Sequence, residues 1–277
     1  MGGQKSGGYD FAFLDSGTGG LPYIRRLREL LPSARCVYLA DTLHFPYGEK
    51  KRDEVIRLTF EAVSLLLALF SPRVIVLACN TMSVAALEKL RSRYLQAPFV
   101  GTVPAIKLAA ARSLNRKIGL LASSRTVADP YTDALIAEFA GDCEIIRRGD
   151  GELISFIENN LVSSDRESRI AAVSPAVNSF RSAGADTIVL ACTHFIHVKD
   201  EIAELAGTEV SVIDSCDGVA RQAASVFSRI SSSGIPEGPG SGEFYVTGFP
   251  EGKTESYYEE LASFSGLLWK GRAAPGT

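Results

Sequence analysis

Two cysteines stand in nearly the same stretch of sequence. Ile75-Val76-Leu77-Ala78-Cys79-Asn80-Thr81 and Ile188-Val189-Leu190-Ala191-Cys192-Thr193-His194 share five residues in register, then open into polar side chains. Each run reads as a buried strand that delivers a thiol at its carboxyl end, the edge of a parallel sheet where α/β proteins bind ligands. A lone strand cysteine is most often a small core hydrophobe. The duplicated frame, the strand-end position and the hydroxyl or imidazole that follows favour chemistry for Cys79 and Cys192. Cys36, Cys143 and Cys216 lack the frame and read as structural. Two thiols presented alike suit acid–base work on opposite faces of one small substrate, with one thiolate taking a proton and the thiol opposite returning one. A free thiol has a pKa of about 8.5 and is only a few per cent ionised at neutral pH, so the pair needs neighbours that tune it.

Candidate neighbours are few. His194 follows Cys192 by two residues, so a continued strand would put both on one face, where the imidazole exchanges a proton with the thiol or lowers its pKa. Asp15 closes an early strand beside Gly17-Thr18-Gly19-Gly20 and reads as a functional carboxylate or a helix cap. That glycine loop lacks both a dinucleotide fingerprint and a Walker lysine; its backbone N–H groups suit a small carboxylate better than a pyrophosphate. Asn80, Thr81 and Thr193 place short polar side chains beside the thiols, either to hold amino-acid charges or to cap the next helix. Pro46-Tyr47-Gly48 is a turn by composition, and His44 and His197 have no comparable company. The histidines and cysteines have no zinc spacing, so no metal is expected.

The elements that must position these residues alternate. Strands are expected at Tyr9–Leu14, Arg35–Ala40, the Cys79 run, Pro98–Val103, Lys117–Ala122, Cys143–Ile146, the Cys192 run, Glu209–Ile213 and Phe244–Thr247. Helices are expected after Leu21, over Glu49–Phe70, Met82–Tyr94, Val127–Phe139, Gly151–Leu161 and Glu167–Ala183, before Gly207, and around Tyr257, Leu261 and Phe264. Ser231–Gly242 reads as a surface loop. This is the pattern of an α/β protein with mainly parallel sheets. Val100-Gly101 and Val212-Ile213-Asp214 follow the two cysteines at similar distances, and Phe13-Leu14-Asp15-Ser16 finds an echo in Val212-Ile213-Asp214-Ser215. Two similar α/β domains related by pseudo-symmetry are therefore expected. Residues 1–98 and 214–277 form the first, 99–213 form the second, inserted one, and the cleft between them receives a cysteine from each side.

Composition narrows the class. The 277 residues are 46% hydrophobic and 22% charged, as in ordinary globular enzymes. A net charge of −3 leaves no basic footprint, so nucleic acid is not expected as the main partner. Five cysteines with no C-x-x-C spacing suit a reducing, cytoplasmic setting. The apolar runs Phe11–Leu14 and Leu65–Phe70 are too short for an export signal or a membrane span. Met1-Gly2-Gly3-Gln4-Lys5-Ser6 formally fits a myristoylation pattern, but a flexible leader explains the same letters.

Taken together, the motifs resemble the glutamate racemases of the cofactor-independent aspartate/glutamate racemase family. The matching stretches are Leu14-Asp15-Ser16-Gly17 with Gly19-Gly20, Asp41-Thr42 through Phe45-Pro46-Tyr47-Gly48-Glu49-Lys50, Ala78-Cys79-Asn80-Thr81, Cys192-Thr193-His194 and Ile213-Asp214-Ser215. The resemblance implies that Cys79 and Cys192 are the catalytic acid and base, assisted by Asp15 and His194, with Glu158 of Leu153-Ile154-Ser155-Phe156-Ile157-Glu158 as a further functional carboxylate. It places Asp15, Ser16, Tyr47, Gly48, Asn80, Thr81, Thr193 and His194 on the substrate, and the hydroxyls of Ser123 and Thr126 near it. It implies glutamate as substrate, no cofactor, and D-glutamate for peptidoglycan as the product's use; from the short apolar runs no membrane partner is expected, and a homodimer stays open. The chain departs from the family at Phe195-Ile196, where Tyr-Pro is common, in a shorter Val100–Pro104 segment, and at Cys216. An aspartate or other amino-acid racemase, or a non-catalytic two-domain binding or regulatory protein, stands as the competing reading.

Overall fold

The structure, a computed structural model, describes residues 8–231 and 238–273. The Met1–Ser6 leader and residues 232–237 of the expected surface loop lie outside the described residues. In chain order the elements are β1 (Phe11–Asp15), α1 (Leu21–Leu30), β2 (Arg35–Ala40), α2 (Arg52–Phe70), β3 (Val74–Leu77), α3 (Asn80–Arg93), β4 (Phe99–Gly101), α4 (Ile106–Arg112), β5 (Lys117–Ala122), α5 (Ser124–Val127) and α6 (Pro130–Phe139). They continue with β6 (Glu144–Gly149), α7 (Gly151–Asn160), α8 (Arg166–Ser182), β7 (Thr187–Leu190), α9 (Lys199–Ala206), β8 (Ser211–Ile213), α10 (Cys216–Ile230), β9 (Ser241–Val246), α11 (Glu255–Phe264) and β10 (Leu268–Arg272).

The strands form two wholly parallel sheets, a six-stranded one ordered β10-β9-β2-β1-β3-β4 and a four-stranded one ordered β6-β5-β7-β8. Helices cover both faces, so the central strands are buried throughout and read as continuous apolar runs: Phe11–Asp15, Val74–Leu77 and Thr187–Leu190 have no exposed residue. The order β2-β1-β3-β4 repeats as β6-β5-β7-β8, which is the expected pseudo-symmetry in physical form. Register makes it specific. Leu14 lies beside Leu77, and Leu121 lies beside Leu190. Two residues beyond each come Ser16 and Cys79 in one sheet, Ser123 and Cys192 in the other.

Several expectations need correction. Phe99–Gly101, assigned from sequence to the inserted unit, pairs with β3 in the first sheet. The counterpart of Asp15-Ser16 is Ala122-Ser123 at the end of β5; Asp214-Ser215 follow β8, which corresponds to β4. The stretch Val127–Phe139 is two helices, because Asp129 caps the second and Pro130 opens it. Helices α4 and α10 and the strand β10 add to the expected elements. α10 is legible in the buried spacing of Val219, Ala223 and Phe227. β10 is an edge strand whose positions alternate between exposed and half-buried, but its residues, Leu268-Trp269-Lys270-Gly271-Arg272, do not alternate in polarity to match. Among the described residues no helix is long and apolar enough to cross a membrane.

Candidate active site

Cys79 and Cys192 leave their strands in extended conformation, and each stands at the start of the element that follows, α3 and a 3-10 turn over Thr193–Val198. Both line one cavity of about 30 Å³, together with Ser16, Tyr47, Gly48, Asn80, Thr81, Ser123, Thr193 and His194. The two sheets' loops approach closely there, and glycine permits it. A Cβ on Gly19 would sit 2.4 Å from His194 Nδ1, and one on Gly48 would sit 2.6 Å from Ser123 Cβ.

On the Cys192 side, His194 does not continue the strand as expected; the 3-10 turn brings its Nδ1 to 3.7 Å from the Cys192 sulfur. Its Nε2 donates to Glu158 Oε2 at 2.8 Å. Glu158 lies on the buried stripe of α7 with Ile154 and Ile157, and Asp150 caps that helix by accepting the Leu153 N–H. Burial alone would discharge both partners, but hydrogen bonds outweigh it. Bonds to Cys192 and Glu158 hold His194 well above the usual imidazole range. Bonds from His194 and Thr18 hold Glu158 below the usual carboxylate range. The result is a buried ion pair with its positive end against Cys192.

On the Cys79 side, the Ser16 hydroxyl lies 3.8 Å from the sulfur and donates to Asp15 Oδ1 at 3.2 Å. Asp15 is fully buried, and its other oxygen accepts the Thr193 hydroxyl at 3.0 Å. Burial pushes its carboxyl up to about 6, against the pull of His194 and Thr193. Burial also pushes the Cys79 thiol well up, and the charge of Asp15 adds to this, while the Met82 N–H at the start of α3 favours the thiolate. Asp15 and Glu158 therefore stand behind the cavity wall rather than in it.

The remaining predicted residues divide. Thr126 does not line the cavity; its hydroxyl lies within 3.3 Å of Thr81 and accepts from Ser123 at 3.1 Å, so it supports those two hydroxyls. Tyr47 donates to Asp41 at 2.5 Å, and Asp41 also accepts from Thr247 and His44, which pins the Phe45–Gly48 turn. The glycine loop receives a carboxylate, but it is that of Glu158: Thr18 N–H donates to Oε2, and Gly20 N–H goes to the Tyr38 hydroxyl. Its amides thus serve the protein. None of Asn80, Thr81 and Thr193 caps a helix, since Thr81 and Thr193 bond across the cleft and both amide atoms of buried Asn80 have no partner. Among the described residues no cluster of His, Cys, Asp and Glu has the makings of a metal site.

The sequence profile of the Asp/Glu/Hydantoin racemase family matches residues 23–223. The chain belongs to this family. A racemase-family relative, the glutamate racemase of Treponema pallidum (strain Nichols), is 40% identical over 263 residues, covering 95% of this chain and 96% of its own. The crystal structure of Escherichia coli glutamate racemase in complex with L-glutamate and the activator UDP-MurNAc-ala superimposes with a TM-score of 0.85 at 29% identity, covering 96% of this chain and 98% of that one. The isoform RacE1 from Bacillus anthracis shares the fold, with a TM-score of 0.79 at 24% identity over 99% of both chains.

Within this racemase-family site, sequence reading missed Thr18, Asp41 and His197. The only signal for Thr18 is a hydroxyl inside the glycine loop; Asp41 and His197 are named by contacts with Thr247 and Thr18, far away in the chain. The orphaned amide of Asn80 supports a prediction. A buried polar group without partners costs stability, and a charged ligand that pairs with it recovers more than a neutral one would. Asn80→Ala is expected to raise KM by roughly 10- to 100-fold with an unchanged or higher melting temperature. Steady-state kinetics and thermal melts check this, and a wild-type KM would reduce Asn80 to packing.

Proposed function

We propose that this chain is a cofactor-independent glutamate racemase, interconverting L- and D-glutamate by proton transfer at the α-carbon between Cys79 and Cys192, and that its D-glutamate serves peptidoglycan synthesis. The observation that carries the reading is the convergence of two strand-end thiols, one from each parallel sheet, on a single cavity. The named relatives support glutamate as the substrate. The reading divides the chain into two domains, each built on one sheet, that part to admit substrate; a cavity of about 30 Å³ has room for only about two waters.

The roles follow from the environments. Charged His194 faces the Cys192 sulfur, and burial favours the thiol form of Cys79. With one enantiomer bound, Cys192 takes the α-proton and Cys79 delivers one to the opposite face. For the other enantiomer Cys79 must ionise first, its proton passing through Ser16 to Asp15, while Cys192 delivers to the opposite face the proton that it shares with His194. The substrate's own ammonium favours that thiolate. The developing negative charge meets the amide of Asn80 and the hydroxyls of Thr81, Ser123 and Thr193.

Circular dichroism of purified protein with L-glutamate, and no added cofactor, should decay toward zero; L-aspartate should change far more slowly. A stable glutamate signal, or faster decay with aspartate, would overturn the assignment. In D₂O the inverted product should carry deuterium at the α-carbon, because the delivering thiol exchanges with solvent. Unlabelled product would point to one shielded base.

A further inference from the structure

Glu158, on α7, is gripped by residues of the first sheet's unit at both ends. Thr18, in the loop after β1, is fully buried and donates both its N–H and its hydroxyl to Oε2, at 2.9 and 2.6 Å. Lys253 and the Tyr257 hydroxyl donate to the Glu158 carbonyl. Thr18 is itself held from the second unit, since its carbonyl lies 3.2 Å from His197 Nε2. A carbonyl only accepts, so Nε2 carries the proton. Burial and the neighbouring charge of His194 press His197 down to about 4, which leaves it as the neutral Nε2–H form at working pH. His197 is thus a partly buried histidine that no catalytic step uses, seated on the loop that anchors the catalytic ion pair.

We propose that Thr18, clamped by His197, is a positioning residue for the Cys192 half of the site: it fixes Glu158 so that His194 stays aimed at the Cys192 sulfur. The contact runs between the two sheets' units, so it is complete only when the cleft is closed. Thr18 therefore readies Cys192 at closure. Without the hydroxyl, Oε2 loses its shortest donor and the buried carboxylate is less able to stay ionised opposite His194; the pair drifts toward its neutral form.

The proposal rests on the two-thiol reading, and the test separates them. The groups facing His194 are Cys192, Glu158, Asp15 and His197. Thr18→Val is expected to lower kcat roughly 10-fold with KM little changed, and to make the His194 ring lose its imidazolium ¹⁵N signature at lower pH than in the wild type. Thr18→Ser should restore both. His197→Leu should shift both readouts the same way more weakly, and His197→Gln, which keeps a donor near Nε2, should not. A Thr18→Val protein with wild-type kcat and a wild-type His194 titration overturns the proposal. If Thr18→Val does not fold, a His197→Leu protein with both readouts at wild-type values overturns it instead. If the wild type racemises no amino acid, the functional reading fails, and the His194 titration alone decides the role of Thr18.

Discussion

Cys79→Ser and Cys192→Ser should each lower racemisation by about 10³-fold or more, with melting curves close to wild type. A serine hydroxyl is nearly isosteric with a thiol but far too weak an acid to supply an anion at neutral pH, so each variant removes one proton carrier and leaves the cavity's shape. The single variants carry more information than the loss of rate. Each keeps one competent thiol, which still faces the α-proton of one enantiomer. In D₂O, Cys79→Ser should exchange the α-proton of one enantiomer with retention, and Cys192→Ser that of the other. Proton NMR of both enantiomers against both variants reads this directly. Equal exchange of both enantiomers by either variant would mean that the two sulfurs do not work from opposite faces. Near-normal racemisation by either would remove that cysteine from the mechanism.

The parts of this site that were legible in sequence are those encoded by short runs. Both thiols were marked by an apolar run that the sheet buries on both faces, and parallel pairing then fixed where Ser16 and Ser123 emerge beside them. The repeat in strand order is readable because each strand of β1, β3, β5 and β7 is nearly all apolar. What sequence could not show is produced by packing across the cleft. His194 was expected on the thiol's face through a continued strand, and reaches it through a 3-10 turn. The glycine loop was legible as a carboxylate receptor, but which carboxylate fills it depends on α7, about 140 residues away, as the Thr18 to Glu158 bond shows. His197 read as isolated because its partner, the Thr18 carbonyl, carries no side-chain signal at all. The shared lesson is that periodicity reports which face of an element is buried, and not which element covers it.

Asp15→Asn should raise stability and lower activity together. The folded protein holds the Asp15 carboxyl at about 6, above its ordinary value of 3.8, chiefly because burial penalises the charge. A carboxyl raised on folding binds more protons in the folded state between those two values, so its contribution to stability is fully present below about 3.8 and is lost as pH rises through about 6. At neutral pH the charge therefore costs on the order of 3 kcal/mol, and asparagine, which can still bond Ser16 N–H and Thr193, does not bear that cost. The variant should melt several degrees higher at pH 7 to 8, with the gap closing as pH falls toward 4. Activity should drop by about 10²-fold, although removing the Asp15 charge makes Cys79 easier to ionise, because that charge is among the causes that hold the thiol high. The loss would then reflect the missing proton acceptor behind Ser16, and it should fall on kcat more than on KM. Melting curves from pH 4 to 8 alongside kinetics in both directions check the argument. A gap in melting temperature that does not change with pH would mean the carboxylate's charge is not what the fold resists, and full activity would remove Asp15 from the proton path.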